Sequence, residues 1–171
     1  PMVAVQMADG APLDWERVLS GEGAPRVELP ASDRLAAGVG EGPLVGGCLS
    51  LVASLCGTPE AVRGTGCVFF WEDVGEEIYR LDRMLTQLER SGTFDRLEAM
   101  VIGTVAPDRK GAESPDAVRA WLTGRFAASP FPVVMGFPAG HRQDTRTIAL
   151  GARVRVDANS GAFQFLEAGV L

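Results

Sequence analysis

Five consecutive apolar residues, Cys67-Val-Phe-Phe-Trp71, followed at once by Glu72 and Asp73, restrict the fold of this chain more than any other feature. A run without polar alternation offers no face to water, so a strand built from it must be covered on both sides, as the central strands of layered α/β domains are. The run is also the longest apolar stretch, and it falls far short of the roughly 20 residues needed to span a bilayer. The next segment reads as a helix. Gly75 to Arg90 places Ile78, Leu81, Met84, Leu85 and Leu88 on one face with charged residues opposite, and Gly92 stands just past the end.

The same strand-then-helix pattern recurs. Cys48 to Cys56 carries Leu49, Leu51, Val52 and Leu55 as a buried helix stopped by Gly57-Thr58-Pro59. Ala99 to Gly103 reads as a second central strand, and Ser114-Pro115-Asp116 as a helix start in which Ser caps and Pro takes the first turn. Val118, Trp121 and Leu122 give that helix a buried face. Pro132 to Gly136 is a third short strand, running into Phe137-Pro-Ala-Gly-His141. Beyond it, Thr147 to Leu150, Ala152 to Asp157 and Ala162 to Glu167 alternate and are punctuated by Gly151 and Asn159-Ser160-Gly161, which predicts antiparallel strands with a tight turn. At the other end, Val3 to Met7 has strand character before the turn Asp9-Gly10, Asp14 starts a short helix through Leu19, and Arg26 to Leu29 reads as a strand. The Gly-, Pro- and Ala-rich stretch Gly21 to Gly47 reads as irregular. The sum is an α/β domain with a β-rich C-terminal end and no internal repeat.

At 171 residues, one compact unit can bury a working core. A composition of 46% hydrophobic and 22% charged residues excludes disordered and fibrous classes, and the 21 glycines and 11 prolines imply many tight turns. The N-terminus lacks the basic region and apolar segment of a signal peptide, so neither secretion nor a membrane is expected. A formal charge of −6 with scattered basic residues argues against nucleic acid as a partner. Three cysteines, Cys48, Cys56 and Cys67, form no CxxC pair, which argues against a disulfide framework or a zinc site and for a reducing compartment. The single histidine, His141, is the only imidazole available for catalysis and rules out a multi-histidine metal site. No cofactor and no metal are expected.

Ligands of open α/β sheets bind beyond the carboxyl ends of the strands. Glu72 and Asp73 sit at such an end, and His141 follows another, so the groups meet if their strands are neighbours. A carboxylate that fixes one imidazole nitrogen leaves the other free to act as a general base. The alternatives remain open at this level: a solvated loop histidine, and acids (Glu72, Asp73, Glu76, Glu77) favoured by a helix dipole. Consecutive helical positions diverge around the axis, which disfavours a magnesium site built from those acids. The nucleophile is the missing piece. There is no G-x-S-x-G elbow, Ser50 and Ser54 belong to a helix, and Cys48 at that helix's start behaves as a core thiol or, paired with His141, as a cysteine nucleophile. Gly46-Gly47 suits close backbone packing or an anion cradle, and Pro1 carries little weight as an N-terminal base.

Six segments in order complete the reading: Leu44-Val-Gly-Gly-Cys-Leu-Ser50, Gly57-Thr-Pro59, Val68-Phe-Phe-Trp-Glu-Asp-Val-Gly-Glu76, Tyr79-Arg-Leu-Asp-Arg-Met-Leu85, Gly92-Thr-Phe-Asp95 and Gly136-Phe-Pro-Ala-Gly-His141. Together they resemble the C-terminal half of the LD-carboxypeptidases, serine peptidases that include the muramoyltetrapeptide carboxypeptidases and the microcin C immunity peptidases. The resemblance implies a swivelling β/β/α domain over 44–171, preceded by an interdomain strand and linker region over 1–43 in which Pro1 to Gly10 resemble the strand leaving an N-terminal domain. It implies that Glu72 and His141 are two members of a Ser-His-Glu triad acting on a murein peptide; the absent targeting signals and unpaired cysteines add the expectation of a cytoplasmic location. The serine and oxyanion donors are then expected from a flavodoxin-like N-terminal domain that lies outside this sequence, which makes the isolated chain inactive. A homodimer is also implied, with an interface not legible in the residues. One departure is local: Cys48 stands where the family usually has Asn after the paired glycines. The rival expectation from another class is a non-catalytic binding module that keeps the family fold.

Overall fold

A computed structural model of the chain describes residues 26–106, 114–142 and 145–168. The strand Val3 to Met7, the turn Asp9-Gly10 and the helix from Asp14 to Leu19 lie outside the described residues. In chain order the elements are β1 (Arg26–Glu28), a 3-10 turn (Ala31–Asp33), β2 (Arg34–Ala36), β3 (Val39–Cys48), α1 (Leu49–Ser54), β4 (Val68–Val74), α2 (Ile78–Arg90), β5 (Ala99–Ala106), α3 (Pro115–Phe126), β6 (Val133–Val134), β7 (Arg153–Asp157) and β8 (Ala162–Phe165). They form a mixed eight-stranded sheet in the order β1-β8-β7-β3-β4-β5-β6-β2. The central strands β3, β4, β5 and β6 are parallel, and the flanking pairings are antiparallel.

The apolar run behaves as its composition requires. Alternate residues of β4 point to opposite faces, and both faces are covered. Phe69 and Trp71 face the three helices, where they join Leu49, Leu81, Leu85, Leu88 and Leu122 in one core. Val68 and Phe70 face the other way, into a core shared with Val154, Val156, Phe163 and Phe165. That second core exists because β3 serves two ladders: its first half pairs with β7 through Pro43↔Arg153, and its second half pairs with β4 from Leu44↔Val68 onward. The β7–β8 end of the sheet therefore folds over the face that the helices leave uncovered. Phe137 joins the layers, with ring centroids 6.3 Å from Phe70 and 4.5 Å from Phe163.

Three expectations need correction. Gly21 to Gly47 is not irregular over its described part, because besides β1, which matches the strand read over Arg26 to Leu29, it contributes β2 and most of the ten-residue β3. Its glycines lower strand propensity but are needed for close approach: a β-carbon on Gly40 would lie 2.0 Å from the carbonyl oxygen of Glu98. The helix expected from Gly75 begins at Ile78, since the Gly75 N–H still bonds the sheet through Ala106 O at 2.8 Å. Thr147 to Leu150 forms no strand; Ile148 and Ala149 pack on the second core without entering a ladder. The Ser114 cap holds, its hydroxyl accepting the Ala117 N–H at 3.1 Å. No helix among the described residues is long and apolar enough to cross a membrane.

The hairpin that closes the second core carries its own pH dependence. Asp157 accepts the backbone N–H groups of Asn159 at 2.9 Å and Ser160 at 3.2 Å. The Ser160 backbone and hydroxyl bonds hold its pKa below the ordinary carboxylate value. A carboxylate whose pKa is depressed by folding contributes stability that is complete above its unfolded pKa, near 4, and is lost as pH falls through the folded value. Asp157→Ala should therefore lower Tm by a few degrees at pH 7, and the gap from the parent protein should close on acidification below about pH 4. A gap that stays constant from pH 7 to pH 3 would contradict this role.

Candidate active site

The two acids after the apolar run part company because successive strand residues point to opposite faces. Asp73 turns to the helical side, where one carboxylate oxygen accepts the Ser50 N–H at 2.9 Å and lies 3.7 Å from the Cys48 thiol. It satisfies an N-terminal N–H of α1 and is 4% exposed. Glu72 turns to the other side. Its carboxylate, with 8% side-chain exposure, lies 2.9 Å from His141 Nδ1, whereas the imidazole is 57% exposed.

The strands that carry these groups are not neighbours. β5 lies between β4 and β6, so His141 reaches Glu72 only because the chain after β6 runs back across the end of β5. Three hydrogen bonds fix that path. The Phe137 N–H donates to Ile102 O at 3.1 Å, and the Thr104 N–H (2.9 Å) and hydroxyl (3.2 Å) both donate to Ala139 O. The register of β4 and β5 slips here, with Trp71 opposite Ile102 but Asp73 opposite Val105. Gly103 and Thr104 thus form a bulge beside Glu72, a common device for re-aiming a side chain at a functional site.

Room for the crossing comes from two missing side chains. A β-carbon on Gly103 would lie 2.6 Å from Ala139 O and 3.1 Å from the Glu72 β-carbon. One on Gly140 would lie 2.6 Å from Glu72 Oε2, and the residue's φ of +116° is a conformation that side chains disfavour. The Gly140 N–H is held by the hydroxyl of Thr145 at 3.2 Å, itself buried. Gly103, Thr104 and Thr145 were not legible as site residues, although a glycine inside an apolar strand does signal a bulge or close approach.

This geometry specifies a chemistry. With the carboxylate at Nδ1, a neutral ring that carries its proton there donates it to Glu72, which leaves the Nε2 lone pair as a proton acceptor. Among the described residues the imidazole has no second hydrogen-bond partner. Cys48 does not meet it; the thiol lies 3.1 Å from the Ser50 hydroxyl, in the Asp73 cluster. Ser54 donates to Leu51 O within its own helix. Glu76 and Glu77 lie near Arg80 at 3.3 and 3.6 Å. Pro1 lies outside the described residues. No cluster of three or more His, Cys, Asp or Glu residues is placed for a metal ion among the described residues.

A family model for the LD-carboxypeptidase C-terminal domain matches residues 41–156. A putative carboxypeptidase of Streptomyces coelicolor is 38% identical over 137 residues, covering 80% of this chain and 43% of its own. The probable murein peptide carboxypeptidase of Bacillus subtilis is 32% identical over 147 residues, covering 84% of this chain and 45% of its own. Among solved structures, the muramoyltetrapeptide carboxypeptidase from Oxalobacter formigenes matches with a TM-score of 0.70 at 27% identity, covering 89% of this chain and 52% of that one. The chain thus spans about half the length of the relatives it matches.

Proposed function

Since the chain belongs to the LD-carboxypeptidase family, as its C-terminal domain, we propose that it supplies Glu72 and His141 to a Ser-His-Glu triad that releases a C-terminal D-amino acid from a murein peptide. The observation that carries this reading is the 2.9 Å contact between Nδ1 of the largely exposed His141 imidazole and a buried carboxylate, which leaves Nε2 for the nucleophile. The serine and its oxyanion donors come from an N-terminal flavodoxin-like domain. In support, the murein peptide carboxypeptidase of B. subtilis is about twice as long as the stretch it shares with this chain.

In the first half-reaction, His141 Nε2 takes the proton of the serine hydroxyl as its oxygen attacks the scissile carbonyl. The new imidazolium is stabilised by Glu72, which remains ionised. Nε2 then gives the proton to the departing amine, so the D-amino acid leaves neutral at nitrogen and an acyl-serine remains. In the second half-reaction a water passes a proton to Nε2 while its oxygen attacks the acyl carbon, and the proton returns to the serine oxygen as the shortened peptide departs. The three free thiols suit a reducing compartment, so the reaction is assigned to the cytoplasm.

The test is D-alanine release from an L,D-linked murein tetrapeptide, measured with this chain, with an N-terminal domain of the same family, and with the two together. Release by the mixture and by neither part is the expected result. Release by the chain alone would place a nucleophile within its 171 residues and overturn the division of the triad. Silence throughout would overturn the catalytic reading and favour a binding module.

A further inference from the structure

We infer that the free edge of β3 at Gly46–Cys48 pairs with the extended peptide upstream of the scissile bond, so that the substrate adds as a short strand beside the Glu72–His141 pair. The inference rests on the carboxypeptidase reading and gives its substrate a main-chain subsite. Beyond Leu44, β3 has a neighbour on one side only. The β7 ladder ends at Pro43↔Arg153 and is extended by one residue, through the Leu44 N–H on Ala152 O at 2.9 Å and the Gly151 N–H on Leu44 O at 2.8 Å, whereas the β4 ladder continues to Cys48↔Glu72. Successive residues of a strand turn their peptide groups to alternate sides. Because the Leu44 N–H and carbonyl face β7, those of Val45 and Gly47 face β4. The Gly46 N–H, the Gly46 carbonyl and the Cys48 N–H then point to the side that β7 has left, where no backbone group meets them among the described residues. Gly46, Gly47 and Cys48 are each half-buried, and a β-carbon on Gly47 would meet no atom within 4 Å. The edge is open.

Its chemistry and its place select a peptide. Donor, acceptor and donor at strand spacing are what an exposed edge offers to an extended chain, and main-chain pairing accepts peptide groups whatever side chains they carry. The opening lies on the catalytic side of the sheet. Glu72 shares the face of Val68 and Phe70, over which β7 and β8 fold, so the gap between the end of β3 and the departing chain of β7 opens toward that face. The distance also fits. Cys48 stands opposite Glu72 in register, and a strand added to β3 lies two strand spacings, about 10 Å, from β4. A stretch of about three extended residues covers that span, so the residue paired with Gly46 lies two or three before the bond that is cleaved.

The experiment follows the backbone amides of the 171-residue chain by NMR while the L,D-linked murein tetrapeptide, and separately N-acetyl-L-lysyl-D-alanine, is added. The tetrapeptide should shift the Gly46 and Cys48 amides and slow their exchange with solvent, whereas the dipeptide, too short to reach the edge, should leave them in place. Cys48→Pro deletes one edge N–H at a φ of −59° that proline adopts. Relative to Cys48→Ala, which loses the thiol and keeps the N–H, it should bind the tetrapeptide about 5-fold more weakly. Should the proline variant not fold, the amide map of the parent chain decides. Unmoved Gly46 and Cys48 amides at millimolar tetrapeptide, equal affinities of the folded proline and alanine variants, or equal shifts from the dipeptide would each overturn the inference. Protection of these amides without peptide, on adding the N-terminal domain or on raising the chain concentration, would overturn it too, because the edge would then be an interdomain or self-pairing seam. Failure of the triad reading shows separately, as absent hydrolysis by the mixed domains, and leaves these shifts unchanged.

Discussion

Replacing His141 by alanine in the assembled two-domain enzyme is expected to reduce kcat for D-amino acid release by about a millionfold, and Glu72→Gln by about 10⁴-fold, by comparison with histidine and carboxylate deletions in other serine triads. The two losses differ because the groups act at different distances from the reacting atoms. In the proposed mechanism His141 moves the proton in both half-reactions, and its removal takes away the chain's only imidazole. Glu72, in that mechanism, acts only through the histidine. Its replacement by an amide keeps the shape of the side chain but removes the negative charge that stabilises the imidazolium, and it allows the ring to settle with its proton on Nε2, where the nucleophile needs a lone pair. Because both residues serve one proton transfer, the double variant should be no slower than His141→Ala alone, a non-additivity that unrelated structural damage does not produce. The His141 side chain is 57% exposed, so its truncation should leave Tm nearly unchanged, and the thermal melt separates loss of chemistry from loss of fold. Turnover within tenfold of the parent enzyme for His141→Ala would sink the triad assignment.

The pair was legible in the sequence to different depths. The apolar run ending at Trp71 identifies a central strand, and a strand end is where an α/β sheet binds its ligands, so Glu72 and Asp73 were both visible as candidates. Choosing between them from the residues alone was not possible, because the choice depends on which face each side chain meets: Asp73 goes to the helices and Glu72 to the β-rich layer. The route by which His141 arrives was also hidden. Neighbouring strands were expected to bring the groups together, whereas the loop after β6 crosses the end of β5, held by Phe137 on Ile102 and Thr104 on Ala139. Such contacts are non-local and leave no periodicity. β3 was missed for a related reason. Its glycines read locally as irregular chain, and only the facing backbone of Glu98 explains why Gly40 can carry no side chain. The α2 amphipathic face and the Ser114 cap were legible because each is written within a few turns of one helix.

Gly140→Ala is the change that tests this crossing most directly, because it alters the site without removing any catalytic group. The added β-carbon would stand 2.6 Å from Glu72 Oε2 and 3.1 Å from Glu72 Cδ, so the carboxylate must move away from its place beside Nδ1. The backbone at φ +116° is a further obstacle, since a side chain there adds strain of about 1–3 kcal/mol. One cause thus has two effects. Stability should fall by no more than the backbone strain, while kcat in the assembled enzyme should fall by about 10³–10⁴-fold, approaching the loss from Glu72→Gln. In the chain alone, the downfield proton resonance expected of an imidazole N–H bonded to a carboxylate should weaken or vanish in Gly140→Ala. Combined with Glu72→Gln, Gly140→Ala should cost little further activity, since the contact it disturbs is already gone. If Gly140→Ala retained full turnover and that resonance, the close approach of Gly140 to Glu72 would not be what sets the geometry of the pair, and the catalytic role of the 2.9 Å contact would lose its main structural support.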